Sequence, residues 1–146
     1  MKRGWARVLA GGLLVAPGAG SRANDFTVAP NISGGFGHYH WDVATDGGAT
    51  LSNPPLTIYT GRTYTFDVAT TAAHPFWIKT APGTGAANAY NTGLSANGVT
   101  TSTTVTFDVP ADAPATLHYN CGNHPEMTGT ITVILDLVFR DAFEGP

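Results

Sequence analysis

Apolar residues alternate with polar ones along several segments of this chain, and that alternation constrains the fold more than any other feature. Successive side chains of a β-strand point to opposite faces, so the pattern is typical of strands buried on one side. The clearest segments are 63–68, 105–109 and 131–135, and turn-forming Gly, Pro, Asn and Asp residues separate them. The pattern predicts an all-β domain, a Greek-key sandwich or barrel of about seven or eight short strands.

Two segments lack this alternation. Residues 80–98 are rich in Gly, Ala and Asn and carry no charged side chain, and we expect them to form an ordered excursion across one end of the sandwich. Residues 136–146 follow the last predicted strand as a short tail. We interpret this tail as a loosely packed terminus, with a sorting or docking segment as the alternative.

The first 23 residues have the pattern of a secretory signal peptide. A basic start precedes a short apolar run at 8–15, and Ser21 and Ala23 supply small side chains three places and one place before the expected cleavage site. The apolar run is shorter than the about 20 residues that a membrane-spanning helix needs. We therefore expect no membrane span, a periplasmic or secreted protein, and a mature domain over 24–135.

Removal of residues 1–23 changes the charge balance. All ten Asp and Glu residues remain, whereas only three basic residues do (Arg62, Lys79 and Arg140), which gives a net charge of −7. Nucleic acids and anionic lipids bind basic patches. We therefore expect neither as a partner, and nothing in the sequence requires more than a monomer.

Cys121 is the only cysteine in the chain. Exported domains normally pair their cysteines, and a single one cannot close an internal disulfide. Cys121 is therefore a buried bystander, an intermolecular bridge or a thiol kept for chemistry. The spacing Cys-x₂-His-x₂-Met, which places His124 and Met127 on the same short loop, favours the third interpretation.

Strand alternation also predicts which way Cys121 and a distant histidine face. In 117–121 the apolar residues share a face with Cys121, and in 74–79 they share a face with His74. Both faces must therefore point into the core. If these two strands are antiparallel neighbours, His74 and Cys121 meet at one end of the sandwich.

The side chains gathered in this way match one kind of metal site. Two imidazoles, one thiolate and a weak axial thioether form the blue-copper ligand set, in which the sulfur ligands favour Cu(I) and imidazole accepts both oxidation states. We predict a single copper ion bound by His74, Cys121, His124 and Met127. Loss of the axial Met127 should tune such a site more than abolish it.

This motif, with Pro125 directly after the second histidine, resembles the short ligand loop of amicyanin, and residues 53–61 resemble the strand and turn before the first histidine of cupredoxins. Over about 26–135 the chain is similar to the cupredoxins, the type 1 (blue) copper proteins that include plastocyanin and amicyanin. The resemblance implies a copper ion cycling between Cu(I) and Cu(II), electron transfer through His124, and transient docking of redox partner proteins near that residue.

One position departs from the family pattern. Many cupredoxins carry Asn after the first histidine, and its backbone N–H can donate to the cysteine sulfur. This chain has Pro75 there, and proline has no N–H. We expect a more electron-rich thiolate and therefore a lower reduction potential than in an Asn-type site.

Four alternatives compete with an electron carrier. A copper oxidase or nitrite reductase is disfavoured, because four protein ligands leave no open position for a substrate, and we expect no enzyme. A dinuclear copper centre needs two cysteines and is excluded. Copper handling as a chaperone, store or resistance factor fits the same ligands, whereas a structural zinc site fits less well because zinc seldom binds methionine.

His38 and His40 form the only His-x-His pair in the sequence. Their apolar neighbours share one face, so both histidines should point to the other side, toward solvent. We interpret them as surface residues, with a second metal site as the alternative. His118 should likewise face outward.

Overall fold

A computed structural model describes residues 25–137, and within this range nine β-strands form two sheets. The strands are β1 Phe26–Asn31, β2 His40–Thr45, β3 Leu51–Ser52, β4 Leu56–Tyr59, β5 Thr63–Val68, β6 Phe76–Lys79, β7 Thr103–Asp108, β8 Thr116–Cys121 and β9 Thr128–Ile134. The all-β sandwich is confirmed. The count exceeds the predicted seven or eight partly because β3 is only two residues long, too short for alternation to reveal.

The two sheets have the strand orders β3-β2-β1-β5-β7 and β4-β9-β8-β6. β1 runs parallel to β5 and β4 parallel to β9, and the other pairs are antiparallel. Within 25–137 no helix is long and apolar enough to cross a membrane. The predicted leader and residues 138–146 of the predicted tail lie outside the described residues.

Leu135, at the end of the predicted alternating segment 131–135, is exposed and is not part of the core. The core lies between the sheets and consists mainly of apolar residues from the alternating segments. Five rings fill its centre, and all are buried: Trp41, Phe66, Phe76, Phe107 and Tyr119. The Phe76 ring lies 5.4 Å from Trp41, 6.1 Å from Phe66 and 6.4 Å from Tyr119, centroid to centroid. Burying one such side chain stabilises the fold by about 1.5–3 kcal/mol.

β6 and β8 are antiparallel neighbours, which meets the condition for His74 and Cys121 to approach each other, and Phe76 stands opposite Cys121. β8 then turns into β9, where Gly129 lies against the Tyr119 ring. A Cβ at position 129 would come within 2.1 Å of that ring, so the close approach of β9 to β8 requires glycine. The Tyr119 hydroxyl donates to the Pro54 carbonyl at 2.6 Å, which satisfies its buried polar end.

Residues 80–98 run along the free edge of β6 and not across an end of the sandwich. The Asn97 side chain accepts from the Ile78 N–H at 2.8 Å and donates to the Ile78 carbonyl at 2.9 Å. Three residues before Asn97, Leu94 forms a β-bridge with Phe107 in β7 of the other sheet. β6 is the last strand of its sheet, and its edge backbone groups need partners, which explains this path.

Candidate metal centre

Three of the four predicted ligands meet at one end of the sandwich. The Nδ1 atoms of His74 and His124 lie 3.9 Å and 3.5 Å from the Cys121 sulfur, and all three donor atoms lie within 4.8 Å of one another. Donors that surround one ion at about 2.0–2.3 Å, the length of Zn–N and Zn–S bonds, stand roughly 3.5–4 Å apart. The three side chains therefore fit one metal ion.

Each donor is delivered by a different local structure. His74 lies two residues before β6 and closes a turn. Its N–H donates to the Thr71 carbonyl at 2.9 Å, and its carbonyl accepts from the Thr70 hydroxyl. Cys121 is the last residue of β8 and is fully buried. His124 lies on the turn between β8 and β9 and is the only half-exposed donor of the three.

Asn123 connects the two loops that carry the donors. Its backbone N–H donates to the Cys121 sulfur at 3.4 Å, and its side-chain amide donates to the Ala73 carbonyl at 2.9 Å and the Ala72 carbonyl at 3.3 Å. These bonds fix the turn before His74 relative to Cys121. The sequence did not reveal this role, because Asn is common in turns of every kind.

Met127 is fully buried and ends the loop that carries Cys121 and His124. Its carbonyl accepts the Cys121 N–H at 2.9 Å and its N–H donates to the His124 carbonyl at 3.2 Å, so the ligand loop closes on itself. The Asn53 side chain holds the same loop from outside by donating to the Glu126 carbonyl at 3.1 Å. That the Met127 thioether is the fourth ligand stays a prediction.

Burial controls protonation at this centre. Burial raises the pKa of the Cys121 thiol, and the N–H groups of Asn123 and His124 partly oppose the rise. Burial also lowers the pKa of His74, and neighbouring His124 lowers it further. At neutral pH the metal-free centre therefore holds a neutral thiol and a neutral His74. A cation must displace the thiol proton, so metal affinity increases with pH.

Two aromatic residues, Phe36 and Tyr39, lie over the donors, and we call them the aromatic cap. The Tyr39 ring stands edge-on to the imidazoles of His74 and His124, at 5.8 Å and 5.0 Å. The Phe36 ring lies 6.0 Å from His124 and is 85% exposed. Sequence reasoning placed Tyr39 on the apolar face but missed its contact with the ligands, because alternation does not predict where a loop crosses the sandwich.

His38 and His40 take no part in this centre. His40 Nε2 lies 3.2 Å from a carboxylate oxygen of Asp42, and His38 is exposed. In the part of the chain that the structure describes, His74, Cys121 and His124 form the only group of three His, Cys or acidic residues placed to bind one ion. His118 is half-buried and stands opposite Lys79.

Replacing Pro75 by alanine should raise the reduction potential of the copper-loaded protein. The Gly122 N–H donates to the Pro75 carbonyl at 2.8 Å, which places residue 75 beside the ligand loop. A new backbone N–H near the sulfur would withdraw electron density from the thiolate and favour Cu(I). Potentiometric titration measures the change, with Pro110→Ala as a distant control. An unchanged or lower potential in Pro75→Ala would show the expectation to be wrong.

Comparison with known proteins gives structural matches only: no family profile and no curated sequence matches the chain. The copper protein rusticyanin is 22% identical over 74% of this chain and 75% of its own, with a TM-score of 0.49. A purple cupredoxin from Nitrosopumilus maritimus is 14% identical over 76% and 99%, with a TM-score of 0.46. A Cu(I) form of an amicyanin variant is 21% identical over 56% and 70%, with a TM-score of 0.36.

Residues 25–137 form a two-sheet sandwich with a His₂Cys group at one end. The all-β sandwich expected from the sequence is confirmed. The donor set, with a buried methionine on the same loop, matches the residue types of a type 1 copper site.

Proposed function

We propose that this protein is an exported type 1 copper protein that carries single electrons between redox partners. The observation that carries the proposal is the approach of the Cys121 sulfur to the Nδ1 atoms of His74 and His124. Copper bound by these residues would supply one-electron chemistry between Cu(I) and Cu(II). The N-terminal pattern of residues 1–23 supports export.

The protein's own contribution is a donor set that moves little when the charge of the centre changes. Cys121 and His74 are attached to paired strands of one sheet, and Asn123 connects the loops that follow and precede them. Packed interiors have low compressibility. A rigid arrangement of this kind avoids reorganising the ligands at each electron transfer.

The burial of the centre argues against an enzyme. His74 and Cys121 are buried, and the Tyr39 ring lies against both imidazoles. Catalytic metal sites keep a position open for water or substrate. The aromatic cap leaves little approach to the donors, so we propose outer-surface electron exchange and not substrate conversion.

We propose that redox partners dock transiently around His124. This residue is half-exposed, and the exposed ring of Phe36 lies next to it. A small apolar face suits weak, short-lived encounters. Without residues 1–23 the chain has three basic and ten acidic residues, a net charge of −7, so long-range attraction should favour a basic partner.

Replacing Phe36 by alanine should slow electron transfer to a basic c-type cytochrome by roughly threefold to tenfold, because removing a docking side chain from an interface typically costs about 1 kcal/mol. Stopped-flow spectroscopy measures the bimolecular rate. Ile134→Ala is the matched control, since Ile134 is also exposed but ends β9 at the opposite end of the sandwich. If the two variants transfer electrons at equal rates, the partner docks on a surface other than the one around His124.

Copper handling without electron transfer is the second candidate, because the same ligands bind Cu(I). One cheap experiment separates the two functions: adding Cu(II) to the purified protein, recording the visible spectrum and then cycling it with ascorbate and ferricyanide. An electron carrier gives an intense blue band that disappears and returns. A colourless Cu(I)-only site that gives its metal to a chelator supports copper handling.

A further inference from the structure

Lys79 is a lysine with no exposed surface. Its relative exposure is 0% although it belongs to the outer side of its sheet, opposite His118. Residues 80–98 pass over it and hide it from solvent: the Thr80 N–H donates to the Asn88 carbonyl at 2.9 Å, and residues 79 and 89 form a β-bridge. Lysine is almost never fully buried unless its ammonium has partners, so this one requires an explanation.

Backbone carbonyls, and not a carboxylate, surround the ammonium. Lys79 Nζ donates to the Gly83 carbonyl at 2.5 Å and the Gly85 carbonyl at 2.6 Å, and it lies 6.0 Å from the Trp77 ring centroid. The ion pairs found within residues 25–137 join other side chains. The positive charge of Lys79 is therefore stabilised by dipoles and is not neutralised by an anion.

The turn that Lys79 holds reaches the metal centre. The Gly85 N–H donates to the Gly122 carbonyl at 2.7 Å, and Gly122 directly follows the donor Cys121. Trp77 lies against the same glycine: a Cβ at position 122 would come within 2.9 Å of its indole nitrogen. Two successive contacts therefore link the Lys79 ammonium to the backbone beside the sulfur.

We infer that Lys79 is a positioning residue for the metal centre: its ammonium holds the 83–85 turn, and this turn fixes the backbone that follows Cys121. The charge should also act on the centre, which is the part of the inference that rests on the proposed function. The Cα atom of Lys79 lies three residues along β6 from that of Phe76, the partner of Cys121, or about 10 Å at strand spacing, and its ammonium is held by the turn that contacts Gly122. A cation on the order of 10 Å from the centre favours the less positive Cu(I) state.

The test compares Lys79→Met, which keeps the length of the side chain but removes the ammonium, with Arg62→Met. Arg62 is an exposed cation paired with Asp136 at the opposite end of the sandwich, so both variants lose one positive charge. Hydrogen exchange of the Gly85 amide is measured by NMR in the metal-free full-length proteins. Reduction potentials are measured in the copper-loaded proteins, and the ¹⁵Nζ signal of Lys79 is recorded in the wild type.

We expect the Gly85 amide to exchange at least roughly tenfold faster in Lys79→Met, since about 1.4 kcal/mol of lost local stability has that effect, and to be unchanged in Arg62→Met. The ratio of Cu(II) affinity to Cu(I) affinity should rise in Lys79→Met only. We expect a rise of roughly threefold to tenfold, the effect of removing a screened charge on the order of 10 Å from the copper. This corresponds to a lower reduction potential. The wild type provides a test that does not depend on the folding of Lys79→Met. Its Lys79 ammonium should exchange protons with water slowly enough for the ¹⁵Nζ signal to be observed.

Unchanged Gly85 exchange in a folded Lys79→Met, or a wild-type ammonium that exchanges as fast as free lysine, overturns the inference. A second outcome also overturns the inference: the Gly85 amide exchanges faster in Lys79→Met, but the reduction potential changes no more than in Arg62→Met. Lys79 would then hold the turn without acting on the redox centre. If the wild type binds no redox-active copper, the proposed function fails, whereas the exchange measurement on metal-free protein still decides whether Lys79 holds the turn.

Discussion

Replacing Cys121 by serine should abolish the intense blue absorption of the copper-loaded protein. The band arises from charge transfer between a thiolate and copper, and a serine hydroxyl supplies neither the soft sulfur nor an ionised ligand at neutral pH. Copper affinity should fall by more than about 100-fold, because losing even a residue that only orients a ligand typically costs 10–100-fold. Visible spectroscopy and competition with a chelator measure the two effects.

His40→Ala is the control for this experiment. His40 lies against Asp42 and outside the donor group, so its loss should leave the band and the affinity as in the wild type. A Cys121→Ser variant that keeps the blue band, or an affinity equal to that of His40→Ala, would show that Cys121 is not a ligand.

Replacing Phe76 by alanine should destabilise the metal-free protein by about 3–5 kcal/mol, the usual cost of truncating a buried aromatic side chain. Phe76 is 1% exposed and contacts the rings of Trp41, Phe66 and Tyr119. The cavity would open directly opposite Cys121, so copper affinity should fall as well. Denaturant-induced unfolding measures the change in the free energy of unfolding.

Phe36→Ala removes the same atoms from an exposed position and is the matched control. Its free energy of unfolding should stay within about 0.5 kcal/mol of the wild type, as for most surface substitutions. Equal destabilisation by the two variants would mean that the core does not lie where the two sheets place it.

The inner faces of β6 and β8 could be predicted from the sequence because a strand buried on one side must alternate. That rule assigned His74 and Cys121 to the core, and their meeting followed once the two strands were antiparallel neighbours. His124 could be placed because only two residues separate it from Cys121. The same spacing constrains the side chain of Met127 less, and its role as a ligand stays a prediction.

The features that the sequence did not reveal all depend on the paths of loops. Tyr39 contacts both imidazoles because the loop between β1 and β2 crosses the end of the sandwich, and no periodic pattern encodes that crossing. Alternation along β6 places Lys79 on the outer face, and its burial there follows from residues 80–98, which run along the edge of this strand. The side chain of Asn123 donates to carbonyls 51 and 50 residues away, and turn composition does not specify these partners.

X-ray absorption spectroscopy at the copper edge, recorded on the oxidised and the reduced protein, tests the type 1 site most directly. We expect one sulfur and two nitrogen ligands at short distance in both oxidation states, with little change between them. A first coordination sphere of nitrogen and oxygen alone, or a ligand set that changes when the copper is reduced, would contradict it.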